Sequence, residues 1–206
     1  MELVNNTLYY IHDPMCSWCW AFRPTWHKVL KALPSNINVS YLLGGLAPDS
    51  DTPMPLETRK YVQENWKKIQ EVVPGIKFNY DFWSINVPRR STYPACRAVI
   101  SARMQHSKFE VLMTEGIQNA YYLNAQNPSN KDTLIEIAVE IGLNREVFIT
   151  DLESEIVNKT LLNEIKEIKT LPVNGFPSLV LVKERALKRI EVDYLEDKYI
   201  INQIIA

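Results

Sequence analysis

A short apolar strand runs without a break into an apolar-striped helix, and two cysteines sit at the junction. No other feature constrains this chain as much. Leu8-Tyr9-Tyr10-Ile11 reads as a buried strand bounded by Asp13-Pro14. Trp18, Phe22, Trp26, Val29, Leu30 and Leu33 then recur at helical spacing. In Cys16-Ser17-Trp18-Cys19 the first cysteine therefore falls at a helix N-terminus. Unpaired N–H groups and the positive end of the helix dipole favour a thiolate there, and the thiolate is the nucleophilic form of cysteine. Cys19, one turn further in, is expected to be more covered and to act as the resolving thiol. A pair so placed is suited to cycling between dithiol and disulfide. Two other uses stay open. The pair could be half of a zinc site, completed from Cys96, His12, His27 or His106, although none of these forms a second close pair. The thiols could also pack as small hydrophobes.

A second signal lies far along the chain. Val173-Asn174-Gly175-Phe176-Pro177-Ser178-Leu179-Val180-Leu181-Val182 is a loop running into a strand. Proline is tolerated at the first strand position, where no ladder N–H is needed. A cis Phe176–Pro177 bond would turn the chain tightly into that strand, and a trans bond is the ordinary alternative.

With both segments in view, the chain resembles the thioredoxin superfamily, and more closely the FrnE-like branch of the DsbA family of disulfide isomerases. The matching residues are Asp13-Pro14-Met15-Cys16-Ser17-Trp18-Cys19-Trp20, Thr92-Tyr93-Pro94-Ala95-Cys96-Arg97-Ala98 and Gly175-Phe176-Pro177-Ser178. Pro24, inside the helix after the cysteines, fits the same pattern, since the family kinks that helix with a proline. The resemblance implies that Cys16 attacks, Cys19 resolves, and Pro177 is cis and packs against the disulfide. Two positions depart from it. Many thioredoxin-like chains carry a buried carboxylate six residues before the first cysteine, where this one has Tyr10, with His12 and Asp13 as the nearest titratable groups. The residue before the proline, often Thr or Val, is Phe176, whose ring should exclude water from the thiols.

The 206 residues suffice for one sizeable domain or a domain with an insertion, and 46% apolar with 23% charged content is that of a globular chain. A net charge of −1 and the lack of a basic stripe argue against nucleic acid as a partner. Arg89-Arg90 reads as a solvated loop. No apolar run reaches bilayer length. Met1 to Asn6 has neither a basic nor an apolar leader region, so a cytoplasmic location is expected. Three cysteines, an odd number, argue against a secreted disulfide framework.

Periodicity divides the chain into three parts. Residues 1–47 form a βαβ unit with a second strand at Ile37–Leu43. Residues 48–170 form a helical insertion. Residues 171–206 form a ββα unit with the proline loop, strands at Ser178–Lys183 and Leu187–Asp193, and a helix over roughly 196–205 that buries Tyr199, Ile200 and Ile204. The expected class is α/β: a thioredoxin-like fold with a large all-helical insertion between its two halves. Within the insertion, helices are expected at 56–73, from Thr92, and after Ser107, which forms a capping box with Glu110. Further helices follow Asn130, which ends at Gly142, and Asn144, which carries Phe148, Leu152 and Ile156. A last helical stretch bears Leu162, Ile165 and Ile168. Residues 76–91 read as an irregular aromatic cover.

The remaining candidates each carry an ordinary alternative. Cys96 is a core thiol or a third redox thiol. Trp18 is helix core or a substrate contact, and Phe176 and Pro177 beside the thiols are further candidate substrate contacts. Trp26 reads as core. His12 either tunes the Cys16 thiolate or is a strand-end surface histidine, and Asp13 is the other candidate for tuning. The expected activity is thiol–disulfide exchange on protein or small-molecule disulfides. Glutathione or a thioredoxin-type reductant would recycle the dithiol, and no resident cofactor or metal is expected. Two other readings remain. One is a glutathione-dependent transferase or isomerase of the kappa class, whose members carry Ser at the Cys16 position. The other is a peptide-binding chaperone without catalysis.

Overall fold

A computed structural model describes residues 4–206. In chain order the elements are β1 (Thr7–His12), α1 (Ser17–Ala32), β2 (Asn38–Leu43), α2 (Leu56–Val72), α3 (Phe82–Ile85), α4 (Tyr93–Gln105), α5 (Lys108–Tyr122), α6 (Lys131–Glu140), α7 (Arg145–Leu152), α8 (Glu155–Ile168), β3 (Ser178–Lys183), β4 (Ala186–Ile190) and α9 (Asp197–Ile205). They form two compact units. One comprises Met1–Gly44 with Asn163–Ala206, and the other Gly45–Leu162.

The first unit is built on a four-stranded sheet of order β2-β1-β3-β4. β1 runs parallel to β2 and antiparallel to β3, with Leu8 opposite both Val39 and Leu181. The crossover through α1 permits the parallel pair, and the short turn at Glu184-Arg185, both at positive φ, makes the β3–β4 hairpin. All six residues of β1 and the first five of β3 are buried, because both faces of the sheet are covered. On one face Leu8, Tyr10, Leu179 and Leu181 pack with Phe22, Trp26 and Val29 of α1 and Ile200 and Ile204 of α9. On the other, Tyr9, Ile11, Leu42, Val180 and Val182 meet Ile168, Leu171, Val173 and Phe176. Side chains of alternating direction thus serve two cores. The end of α8 belongs with this sheet: the Glu164 carboxylate accepts the Leu43 N–H at 2.8 Å. The unit boundary accordingly falls inside α8, ahead of the position 170 that periodicity suggests.

The second unit is helical. Trp66 of α2 is fully buried and stacks on Phe78 at 4.7 Å, with Trp83, Tyr121 and Tyr122 at 5.0 to 5.6 Å. The stretch 76–91 is thus the wall of an aromatic core and holds the one-turn α3. α4 buries Ala95, Cys96, Ala98, Val99, Ile100 and Ala102. Its start is fixed by Thr92, whose Oγ1 accepts the Ala47 N–H at 3.1 Å. Arg97 grips Asp49 with both guanidinium nitrogens, at 2.9 and 2.6 Å, and this holds the Asp49 carboxyl below its ordinary pKa.

Three local readings are corrected. Ser107 is itself helical (φ −53°, ψ −34°) and makes no side-chain cap, while Glu110 pairs with Arg103 at 2.8 Å. Ile156 is 67% exposed on α8, because the helix capped by Asn144 stops at Leu152. Tyr199 is exposed, because its hydroxyl donates to Glu191 at 2.6 Å.

Candidate functional site

The dithiol belongs to the sheet-bearing unit. β1 ends at His12, and the Asp13-Pro14-Met15 turn carries the chain into α1. Within the turn the Cys16 N–H donates to the Asp13 carbonyl at 3.0 Å, and the Met15 N–H donates to Asp13 Oδ1 at 2.8 Å. Asp13 has no solvent exposure, so its carboxylate fastens the turn. Cys16 is the N-cap of α1, in extended conformation (φ −78°, ψ 116°), and its carbonyl accepts the Trp20 N–H. Its thiol therefore sits at the end of the helix where amide hydrogens are unpaired.

The proline loop supplies the facing wall. Phe176–Pro177 is a cis peptide, and Cys16 Sγ donates to the Phe176 carbonyl at 3.5 Å. Gly175 sits at φ +145°, a value that suits glycine, and its carbonyl accepts from Ser178 Oγ at 2.6 Å. The Phe176 ring lies on Gly44, where β2 ends: a Cβ there would fall 1.9 Å from Cζ of the ring. Gly44 is tied to the end of β1 by its N–H, which donates to the His12 carbonyl at 2.7 Å.

Cys19 lies behind Cys16 and is fully buried, against 6% exposure for Cys16. Neither forms a disulfide. Burial pushes the Cys19 thiol well above its ordinary pKa, and the neighbouring Cys16 thiol adds to this. Burial pushes the Tyr10 phenol well above its ordinary pKa, and the charges of the nearby Cys19 and Cys16 sulfurs add to this. Burial raises the pKa of Tyr194, in the loop before α9, and the charges of both cysteines add to this. Tyr194 is anchored on α1: Thr25 Oγ1 donates to its carbonyl at 2.5 Å, and its ring packs at 5.1 Å from Trp18 and 6.0 Å from Phe22.

Cys16, Cys19, Asp13, Phe176 and Pro177 thus converge. Trp18 is half-buried against Tyr194 rather than standing clear. His12 is buried, not a surface histidine: it pairs with Leu43 in the sheet and stacks on Tyr10 at 4.9 Å. Cys96 is fully buried in α4 of the helical unit. Sequence reasoning passed over Tyr194, Thr25 and Gly44 as site residues. Spacing could have flagged Gly44, at the end of a strand parallel to β1, but no local pattern marks Tyr194. Among the described residues no cluster of three or more His, Cys, Asp or Glu side chains is arranged to hold a metal ion.

This dithiol at the N-terminus of a helix, facing a cis-proline loop on a β2-β1-β3-β4 sheet, defines a thioredoxin-like protein. A family model described as Thioredoxin matches residues 9–201, and the chain belongs to that family. Among solved structures, a Nitrosomonas europaea protein provisionally described as a protein disulfide isomerase superposes with a TM-score of 0.82 at 25% identity, covering 97% of this chain and 95% of that one. The cytosolic disulfide reductase DsbM from Pseudomonas aeruginosa, also solved with GSH, shares the fold at a TM-score of 0.75 and 22% identity, over 97% of this chain and 95% of DsbM. Among curated proteins, the ClpXP adapter protein SpxH of Bacillus subtilis is 27% identical over 84% of this chain, and that of Halalkalibacterium halodurans is 26% identical over 86%. The chain spans only 56% and 58% of those two adapters' lengths. Among the described residues no helix is long and apolar enough to cross a membrane.

Proposed function

We propose that this chain is a thiol–disulfide oxidoreductase acting on peptide or small-molecule disulfides, with Cys16 as nucleophile and Cys19 as resolving thiol. The observation that carries the reading is the seating of Cys16: N-cap of α1, its sulfur against the Phe176 carbonyl, with the buried Cys19 behind it. The Cys16 thiolate attacks one sulfur of a substrate disulfide, forming a mixed disulfide and expelling one substrate thiolate. Cys19 then attacks Cys16 and expels the second, so the substrate gains two electrons and the dithiol becomes a disulfide. Backbone beside Pro177 would hold an extended peptide as an added strand. Glutathione or a thioredoxin-type reductant, in a cytoplasmic setting, would return the disulfide to the dithiol. The DsbM neighbour solved with GSH supports glutathione as that co-substrate.

The test is disulfide-reductase activity on a peptide disulfide, compared among wild type, Cys16→Ser and Cys19→Ser. Activity absent in Cys16→Ser, with a covalent peptide adduct accumulating in Cys19→Ser, is expected. Equal turnover in wild type and Cys16→Ser would refute it and favour a kappa-type glutathione transferase.

The SpxH relatives favour a second reading, a binding protein that delivers a partner. Partner binding that survives in Cys16→Ser with Cys19→Ser, in a chain without reductase activity, would establish it over the first.

A further inference from the structure

β2 is an edge strand, so the N–H groups on its outer side have no strand to pair with. At the buried end of β2 one such N–H belongs to Leu43, and a helix supplies the acceptor: Oε2 of Glu164, on α8, takes it at 2.8 Å. Leu43 is fully buried and Glu164 only 7% exposed, so bulk water offers that N–H no substitute partner. The next residue is Gly44, the seat of the Phe176 ring, where a Cβ would fall 1.9 Å from the ring's Cζ. One turn after Glu164, Ile168 lies in the core against which Phe176 packs. The Phe176 carbonyl in turn accepts from Cys16 Sγ at 3.5 Å. A buried carboxylate far along the chain is thereby linked, contact by contact, to the attacking thiol.

We infer that Glu164 is a positioning residue for thiol–disulfide exchange: by holding the end of β2 it fixes the Gly44 seat, and through the Phe176 ring it sets the proline-loop wall against Cys16. The inference rests on the proposed exchange function. A side chain has this task because the bond runs from a helix to the open edge of a sheet, where no further strand pairs. Glutamate has the longest reach of the acceptor-only side chains. Gly44 is also tied to β1, its N–H donating to the His12 carbonyl at 2.7 Å. Loss of the Glu164 bond therefore leaves the strands paired and lets the end of β2 shift. Attack by Cys16 requires its sulfur to be aligned with the bond it breaks, and an ångström of misplacement costs about a hundredfold in rate.

Glu164→Met keeps the length of the side chain and removes the acceptor, whereas Glu164→Gln keeps an acceptor oxygen. The readouts are kcat/KM for reduction of a peptide disulfide and the urea midpoint of each variant. Glu164→Met should lower kcat/KM about tenfold, the order expected of a shift of about half an ångström, and Glu164→Gln less than about twofold. In a Phe176→Ala background, where the link is cut, Glu164→Met should lower kcat/KM less than about twofold, while its effect on the urea midpoint stays the same in both backgrounds. A Glu164→Met rate equal to wild type overturns the inference. So does a loss that persists undiminished without the Phe176 ring, the mark of general loosening, and so does a Glu164→Gln variant as slow as Glu164→Met. Should Glu164→Met not fold, Glu164→Asp, which draws the oxygen back by one methylene, is read in the same two backgrounds with the same signs. A wild type that never exchanges with the peptide disulfide is a different result: it defeats the proposed function and the inference with it.

Discussion

An alanine at position 44 would set its Cβ 1.9 Å from Phe176 Cζ and 2.3 and 2.6 Å from the two Cε carbons. The obstacle is space, and the ring must move. Since the Phe176 carbonyl accepts from Cys16 Sγ, a shift of the ring is passed to the thiol wall. Gly44→Ala is expected to cost about 1–3 kcal/mol, the usual range for overpacking, and to slow exchange. Adding Phe176→Ala should recover most of the lost stability, and chemical denaturation of the two singles and the double mutant reads this coupling. Cys19 offers a second check at this scale. Buried and held as a thiol, it should be alkylated at pH 7 more than tenfold slower than Cys16, with the difference narrowing as pH rises. Peptide mapping after iodoacetamide measures it. Such residues differ in how legible they are. Cys16 and Cys19 declare themselves by placement at a strand–helix junction, whereas Tyr194 reaches the dithiol by folding back across α1 and leaves no trace in the spacing around it.

Elements were legible where a local signal and the tertiary contacts agree. β3 occupies Ser178–Lys183, where its apolar run lies, because both of its faces are buried. The helix caps show the opposite case. Ser107 with Glu110 has the spacing of a capping box, but Ser107 is drawn into the helical turn and Lys108 N–H donates to His106 Nδ1 instead. Asn144 is a true cap, its Oδ1 accepting the Val147 N–H at 3.0 Å. Asn144→Ala should therefore cost about 1 kcal/mol, while Ser107→Ala should be close to neutral, both read from shifts in the urea midpoint at constant slope. In α2, Trp66 carries the aromatic core of the helical unit, and Trp66→Ala should cost about 3–5 kcal/mol. Its burial follows from the 56–73 periodicity. The short α3 beside it does not, because one turn is too brief to show a period.

At the scale of the whole chain, the site exists because β1 pairs with β3 across more than 160 residues of sequence, Tyr10 opposite Leu179 and Ile11 opposite Ser178. That pairing sets the proline loop against the thiols, and two apolar strands bounded by a cysteine pair and a proline were enough to expect it. Three acids, Cys19, Tyr10 and Tyr194, are held protonated by burial in the fold. The unfolded chain loses those protons first as pH rises, so it binds fewer protons than the folded state and stability falls. Reduced protein should lose thermal stability above about pH 9, where free thiols and then phenols ionise. Protein oxidised at Cys16–Cys19, with no thiol left to titrate there, should lose less. Thermal midpoints of both forms from pH 7 to 11 test this, and equal slopes would contradict it.

The central claim is reversible two-electron exchange at Cys16 and Cys19, and equilibration in graded glutathione buffers with tryptophan fluorescence as the readout tests it most directly, since Trp18 and Trp20 flank Cys19. The account predicts one reversible transition with a two-electron slope that disappears in Cys16→Ser and persists in Cys96→Ser. A fluorescence signal that stays flat while both thiols remain free across the whole range would contradict it.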